Sequence, residues 1–143
     1  MSDPDEAWHV APSPNDFTCR FGPLQRRWAG DRWIYALRVD AGHRNEAGLM
    51  HGGAMTALID EVVGTFVAET VGRPHVTVQL STTFLYPVRV GDLVEPSCEI
   101  VKVTRSMTFV EAKLRVGANV VATASLIFKA PRTAATPRDT PAA

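Results

Sequence analysis

Between residues 51 and 71 the apolar positions wrap most of the circumference of a helix. Met55, Leu58, Ile59, Val62, Val63, Phe66 and Val67 recur at steps of three and four. A helix that is apolar all round is a buried one, and Gly72 followed by Pro74 ends it. Downstream the period changes from helical to alternating. Val76, Val78, Leu80, Thr82, Phe84 and Tyr86 alternate with their neighbours until Pro87, and three more strand-like runs cover 93–103, 107–116 and 119–129. Upstream, Trp33–Val39 is rich in strand formers and reads as the first strand. Residues 17–32 are ambiguous, because Phe17, Phe21, Leu24 and Trp28 sit at spacings a short helix would use. The expected order is therefore strand, buried helix, then a meander of four strands. One helix is covered on many sides only if an antiparallel sheet curls around it, which predicts an α+β fold with a curved sheet wrapped about one long central helix.

The pattern bounds one domain over residues 17–130, with a flexible arm at 1–16 and a disordered tail at 131–143. A 143-residue chain buries roughly 68–70 % of its unfolded surface as a single domain. Fifteen basic residues balance fifteen acidic ones, so the chain lacks the basic footprint of a nucleic-acid binder. No apolar run approaches the ~20 residues of a membrane span. The beginning, Met-Ser-Asp-Pro-Asp-Glu, has no apolar core of the kind a secretion signal needs. Cys19 and Cys98 form neither a CxxC pair nor a dense framework. The expectation is a cytoplasmic protein with no membrane or nucleic-acid partner.

The chemistry concentrates where the helix begins. His51-Gly52-Gly53 opens an apolar helix, and such a helix mouth offers unpaired N–H groups and a positive dipole end to an oxygen. Gly52 and Gly53 either permit a tight turn or present an oxyanion-type donor to a carbonyl. His51 is a cap or a residue that orients the ligand. Within the helix, Asp60 has Thr56, Ala57, Val63 and Gly64 at three and four positions, so no local cation neutralises it. It belongs to a small-residue stripe with Gly53, Thr56, Gly64 and Ala68. That stripe fits either a close helix contact with a wetted acid at its edge, or a carboxylate in use. Glu61 lies about 100° further round and reads as a solvated acid. No metal-ligand spacing, nucleophile elbow or phosphate-binding loop occurs, so no metal and no cofactor are expected. Gly52 and Asp60 are about 12 Å apart along one helix, too far for both to act on a carbonyl in one protomer. If both act, a second copy must bring its helix alongside, as a symmetric dimer does.

The run Asn45…Gly48…His51-Gly52-Gly53…Leu58-Ile59-Asp60 resembles the acyl-CoA thioesterases of the hotdog-fold superfamily, in particular the phenylacetate-degradation (PaaI) type. The resemblance extends over about 17–130, through Val76–Leu80, the Phe84-Leu85-Tyr86-Pro87…Gly91-Asp92 turn and Thr104-Arg105-Ser106. It implies a dimer, often paired again into a tetramer, that hydrolyses acyl-CoA. The Gly52 N–H would polarise the thioester carbonyl, and Asp60 of the partner chain would act as general base or nucleophile. Asn45 would hold the carbonyl or the attacking water, and Thr77 would orient that water. His51 would support the site, with Gly53 beside it at the substrate. Coenzyme A recognition rests on basic groups at the site mouth, for which Arg105 is the candidate. Two other readings keep the fold: a non-catalytic acyl-CoA-binding or regulatory protein, and a hydratase or dehydratase. The first has no need of Asp60. The second usually sets a histidine beside the acid, and none is near Asp60 in sequence.

Overall fold

The computed structural model describes residues 7–131. Its elements are β1 (His9–Val10), α1 (Asp16–Phe21), β2 (Gln25–Trp28), β3 (Trp33–Arg38), a 3-10 turn (Ala41–His43), α2 (Gly52–Val71), β4 (Val76–Phe84), β5 (Leu93–Val103), β6 (Met107–Val116) and β7 (Asn119–Lys129). Of the two terminal segments expected to be loose, 1–6 and 132–143 lie outside the described residues. Within the first, His9 and Val10 pair with Arg26 and Gln25, and Ala11 is buried.

The ambiguous stretch 17–32 divides at Pro23. Helical spacing holds for Phe17 and Phe21, whose rings lie 5.3 Å apart. Gly22 caps α1, proline stops a helix from continuing, and the chain then forms β2. Trp33–Arg38 is thus the third strand, not the first. The sequence of β2, Gln-Arg-Arg-Trp, carries no apolar alternation. It becomes a strand by pairing with β3, Trp28 opposite Trp33 and Gln25 opposite Ala36.

All strand pairs are antiparallel, and the seven strands run β1-β2-β3-β5-β6-β7-β4. The four late strands therefore do not form a sequential meander. β5, β6 and β7 do, but β4 pairs with β7 at the far edge. The cause is the helix, which carries the chain across the sheet before β4 starts. Residues 85–92 then return past the mouth of α2 to β5. The return is tied there by Met50 N donating to Val88 O at 2.8 Å and Val39 N to Asp92 O at 2.9 Å.

Helix α2 buries Met55, Leu58, Ile59, Val62, Val63 and Val67 against the inner face of the sheet, where Leu114, Leu126 and Phe128 are fully buried. Each such side chain contributes about 1.5–3 kcal/mol of hydrophobic stabilisation. Gly72 ends the helix with φ 71°, the left-handed conformation that glycine adopts without cost. Among the described residues no helix is long and apolar enough to cross a membrane.

Candidate active site

The loop before α2 is held rigidly by Asn45. Its Oδ1 accepts the N–H groups of Ala47 at 3.0 Å and Leu49 at 3.1 Å, and its own N–H donates to Leu49 O at 2.7 Å. Gly48, with φ 78°, makes the reversal possible. With the oxygen consumed, the Asn45 amide NH2 is the donor left over, and among the described residues it has no partner. The buried His43 braces the same loop. Its Nδ1 accepts from Asp40 N at 2.9 Å, its Nε2 donates to Phe21 O, and its carbonyl receives His51 N at 2.7 Å.

His51 is the N-cap of α2, and its Nδ1 accepts the Gly53 N–H at 2.8 Å. The helix mouth thus spends one of its free donors on its own cap. The Gly52 N–H is the one that has no partner among the described residues. A Cβ at Gly53 would lie 2.9 Å from His51 Nδ1, so glycine there makes the cap possible. Gly52 and Asn45 open onto a cleft of about 360 Å³ whose other walls include Met55, Phe84 and Tyr86. Phe84 packs so close that a Cβ on Gly52 would lie 3.0 Å from its Cζ. In the sequence Phe84 and Tyr86 stand out as alternating strand residues and as part of the turn that carries the resemblance, but not as walls of a cleft. Phe84 reaches this wall as the last residue of β4, and Tyr86 as part of the segment that returns past the helix mouth.

The second group of candidates is separate from the first. Asp60, exposed on α2, accepts a hydrogen bond from Thr77 Oγ1 at 2.7 Å. Strict alternation from Phe84 through Thr82 and Leu80 would turn Val78 and Val76 inward and Thr77 outward. A bulge between Thr77 and Gln79 resets the phase, so Thr77 stands opposite the buried Phe128 and faces the helix. One turn beyond Asp60, Gly64 lets the ring of His75 approach, and that ring meets Phe128 edge-on at 4.8 Å. His75 Nδ1 is buried without a partner. A histidine therefore does lie on the Asp60 side of the helix, close in space though not in sequence.

Glu61 points elsewhere, accepting from Asn15 Nδ2 at 3.1 Å. Arg105 sits in the β5–β6 turn beside Arg73, whose guanidinium donates to Arg105 O at 2.8 Å and Thr104 O at 3.0 Å. The two arginines and Ser106 line an open cleft of about 520 Å³. Neither has an acid within ion-pair distance among the described residues. Nor do those residues include a group of three or more His, Cys, Asp or Glu side chains arranged to hold a metal.

A seven-stranded antiparallel sheet curled on one long helix is the hotdog fold. The family model described as "Thioesterase superfamily" matches residues 47–123, a span that includes His51, Gly52, Gly53, Asp60 and Thr77 and begins two residues after Asn45. The candidate esterase PA0474 of Pseudomonas aeruginosa is 36% identical over 108 residues, covering 74% of this chain and 81% of that protein. Mouse acyl-coenzyme A thioesterase 13 is 25% identical over 87 residues, covering 60% of this chain and 62% of that one. Among solved structures, a phenylacetic acid degradation-related protein from Ralstonia eutropha superposes with a TM-score of 0.71. It is 23% identical, and the match covers 83% of this chain and 92% of that one. The chain belongs to the thioesterase superfamily.

Proposed function

We propose that the protein is an acyl-CoA thioesterase whose sites are completed between two copies of the chain. The observation that carries this reading is the position of the two groups on one free edge. Among the described residues β4 pairs only with β7, and Val76, Val78, Phe84, Leu85 and Tyr86 leave apolar surface exposed along and just beyond it. A long apolar edge of this kind is a template for a second strand. Thr77, bonded to Asp60, lies at one end of β4, and Phe84, packed on Gly52, lies at the other. Antiparallel pairing of two copies about a two-fold axis between Leu80 and Ser81 sets Thr77 of one opposite Phe84 of the other. Asp60 then meets the Gly52 mouth of its neighbour, twice per dimer.

In that arrangement the thioester carbonyl oxygen faces the Gly52 N–H, with the Asn45 amide alongside. Thr77 spends its proton on Asp60, so its oxygen is free to accept one from water. Asp60 takes the other proton as the water oxygen attacks the carbonyl carbon. Negative charge builds on the carbonyl oxygen, which the fixed donor stabilises. The C–S bond then breaks, and the thiolate takes up a proton from Asp60 or solvent. Direct attack by Asp60 gives the same products through an anhydride, which water then opens. His51 and Gly53 act indirectly, by holding the first turn in place. Arg73 and Arg105 offer unpaired cations for the phosphates of coenzyme A.

The test is thiol release from a panel of aromatic and aliphatic acyl-CoAs, by wild type and Asp60→Ala, with light scattering on both. Turnover lost in a folded mutant, from a protein that runs as a dimer or larger, is the expected result. Equal rates from the two proteins refute the role of Asp60, and an active monomer refutes the shared site.

A further inference from the structure

A second cavity lies on the opposite side of α2 from Asp60, where the sheet comes apart. β3 and β5 pair only at Leu37–Val94 and Arg38–Leu93. Continuing that register would set Tyr35 opposite Pro96 and Trp33 opposite Cys98. Pro96 has no N–H to give to β3, and from it onward β5 pairs with β6 alone. β3 meanwhile stays with β2, and the two strands part. The gap is floored by α2 and encloses about 90 Å³, walled by Trp33, Tyr35, Val62, Phe66, Pro96 and Cys98.

The chemistry of the gap is specific. Its walls are mostly aromatic or aliphatic, as in sites that hold small organic ligands. An apolar cavity of about 150 Å³ holds a benzene molecule, so this smaller, open gap of about 90 Å³ takes the edge of one ring or a short branched chain, with the rest of the ligand and its polar end outside. Arg32 stands at the rim, its guanidinium 5.5 Å from the Phe66 ring centroid, and no acid is within ion-pair distance of it among the described residues. Arg26 lies 4.1 Å from the centroid of Trp33, behind the same wall. Glu69, also at the rim, repels negative charge on a ligand anywhere but against the Arg32 guanidinium. The Cys98 thiol is pushed up to about 11 by burial, against an opposing pull from Arg32, so this wall stays neutral.

We propose that this seam binds a small organic monocarboxylate, its compact apolar body between Phe66, Trp33 and Pro96 and its carboxylate on Arg32. This is a site apart from the thioester chemistry, and it does not depend on that reading.

The experiment titrates the full-length protein with benzoate, and in parallel with the neutral isostere benzamide, following the Trp33 indole N–H by NMR. Saturable movement of the Trp33 signal by benzoate is expected, with benzamide weaker by about fivefold. Arg32→Gln should bring benzoate down to the level of benzamide and leave benzamide unchanged. Cys98→Leu, which fills the gap from the β5 wall, should abolish both. Asp60→Asn should change neither, which separates this seam from product binding at the catalytic site. An unmoved Trp33 signal overturns the proposal, as does benzoate binding that survives Arg32→Gln or is lost in Asp60→Asn. Should Cys98→Leu fail to fold, the Arg32→Gln comparison decides alone.

Discussion

Gly52→Ala separates the chemistry of the helix mouth from its stability. The added methyl would lie 3.0, 3.3 and 3.5 Å from Phe84 Cζ, Cε2 and Cε1, whereas ordinary contact begins near 3.4 Å. The ring tip must therefore retreat by about 0.4 Å, the difference between 3.4 and 3.0. Phe84 is 52% exposed and has room to do so. The φ of Gly52 is not positive, so alanine adopts the backbone without strain. Losing unfolded-state freedom then stabilises the fold by about 0.4–1 kcal/mol, offset in part by the displaced ring. The net expectation is a melting temperature unchanged or raised by about 1–3 °C. Catalysis should go the other way. A missing oxyanion donor costs about 10²–10³ in rate. A donor retained but crowded by a methyl in the cleft should cost about 10–100-fold in kcat/KM. Thermal melts and thiol release on the same preparation measure both. Wild-type turnover with the expected melt would show that no carbonyl sits at Gly52. A fall of more than about 3 °C would show instead that Phe84 is locked in place.

Asp60→Asn keeps an oxygen for the Thr77 hydroxyl, so its stability should stay within about 0.5 kcal/mol of wild type while turnover falls about 10²–10⁴-fold; equal rates would remove Asp60 from the mechanism. Thr77→Val should keep acyl-CoA binding and lower kcat about tenfold or more, and a change confined to KM would make Thr77 a wall residue only. Ser81→Lys sets two like charges at the proposed two-fold axis, and light scattering should find monomer with turnover lost. A Ser81→Lys dimer of full activity would place the interface elsewhere. Burial raises the Cys98 thiol from 9.0 to about 11, so above pH 9 the unfolded chain loses a proton that the folded chain keeps. Its contribution is complete below pH 9 and declines toward pH 11, by on the order of 1–2 kcal/mol after allowing for solvent at the cavity mouth. Urea melts of wild type and Cys98→Ala across this window should show the gap between them shrinking as pH rises, and a constant gap would contradict the buried thiol.

The local elements of this protein were legible in its sequence, because their causes are local. Apolar steps of three and four residues mark α2, Gly72 and Pro74 mark its end, and alternation marks β4 to β7. His51-Gly52-Gly53 at the helix mouth and the unneutralised Asp60 within the helix also stand out as candidates from local sequence alone. What the sequence could not determine depends on which segments meet. β2 has no apolar alternation and exists only because β3 is beside it. β4 leaves the meander because α2 carries the chain to the far edge. The bulge at Val78 shows the limit most sharply. The alternating pattern puts Thr77 on the outer face, and a single inserted residue, fixed by pairing with β7, turns its hydroxyl to Asp60. His75 and Phe84 likewise reach the site through tertiary packing, His75 against α2 and Phe128, and Phe84 against the mouth of α2. Periodicity records which residues avoid water; only the assembled sheet and helix decide which polar atoms face one another.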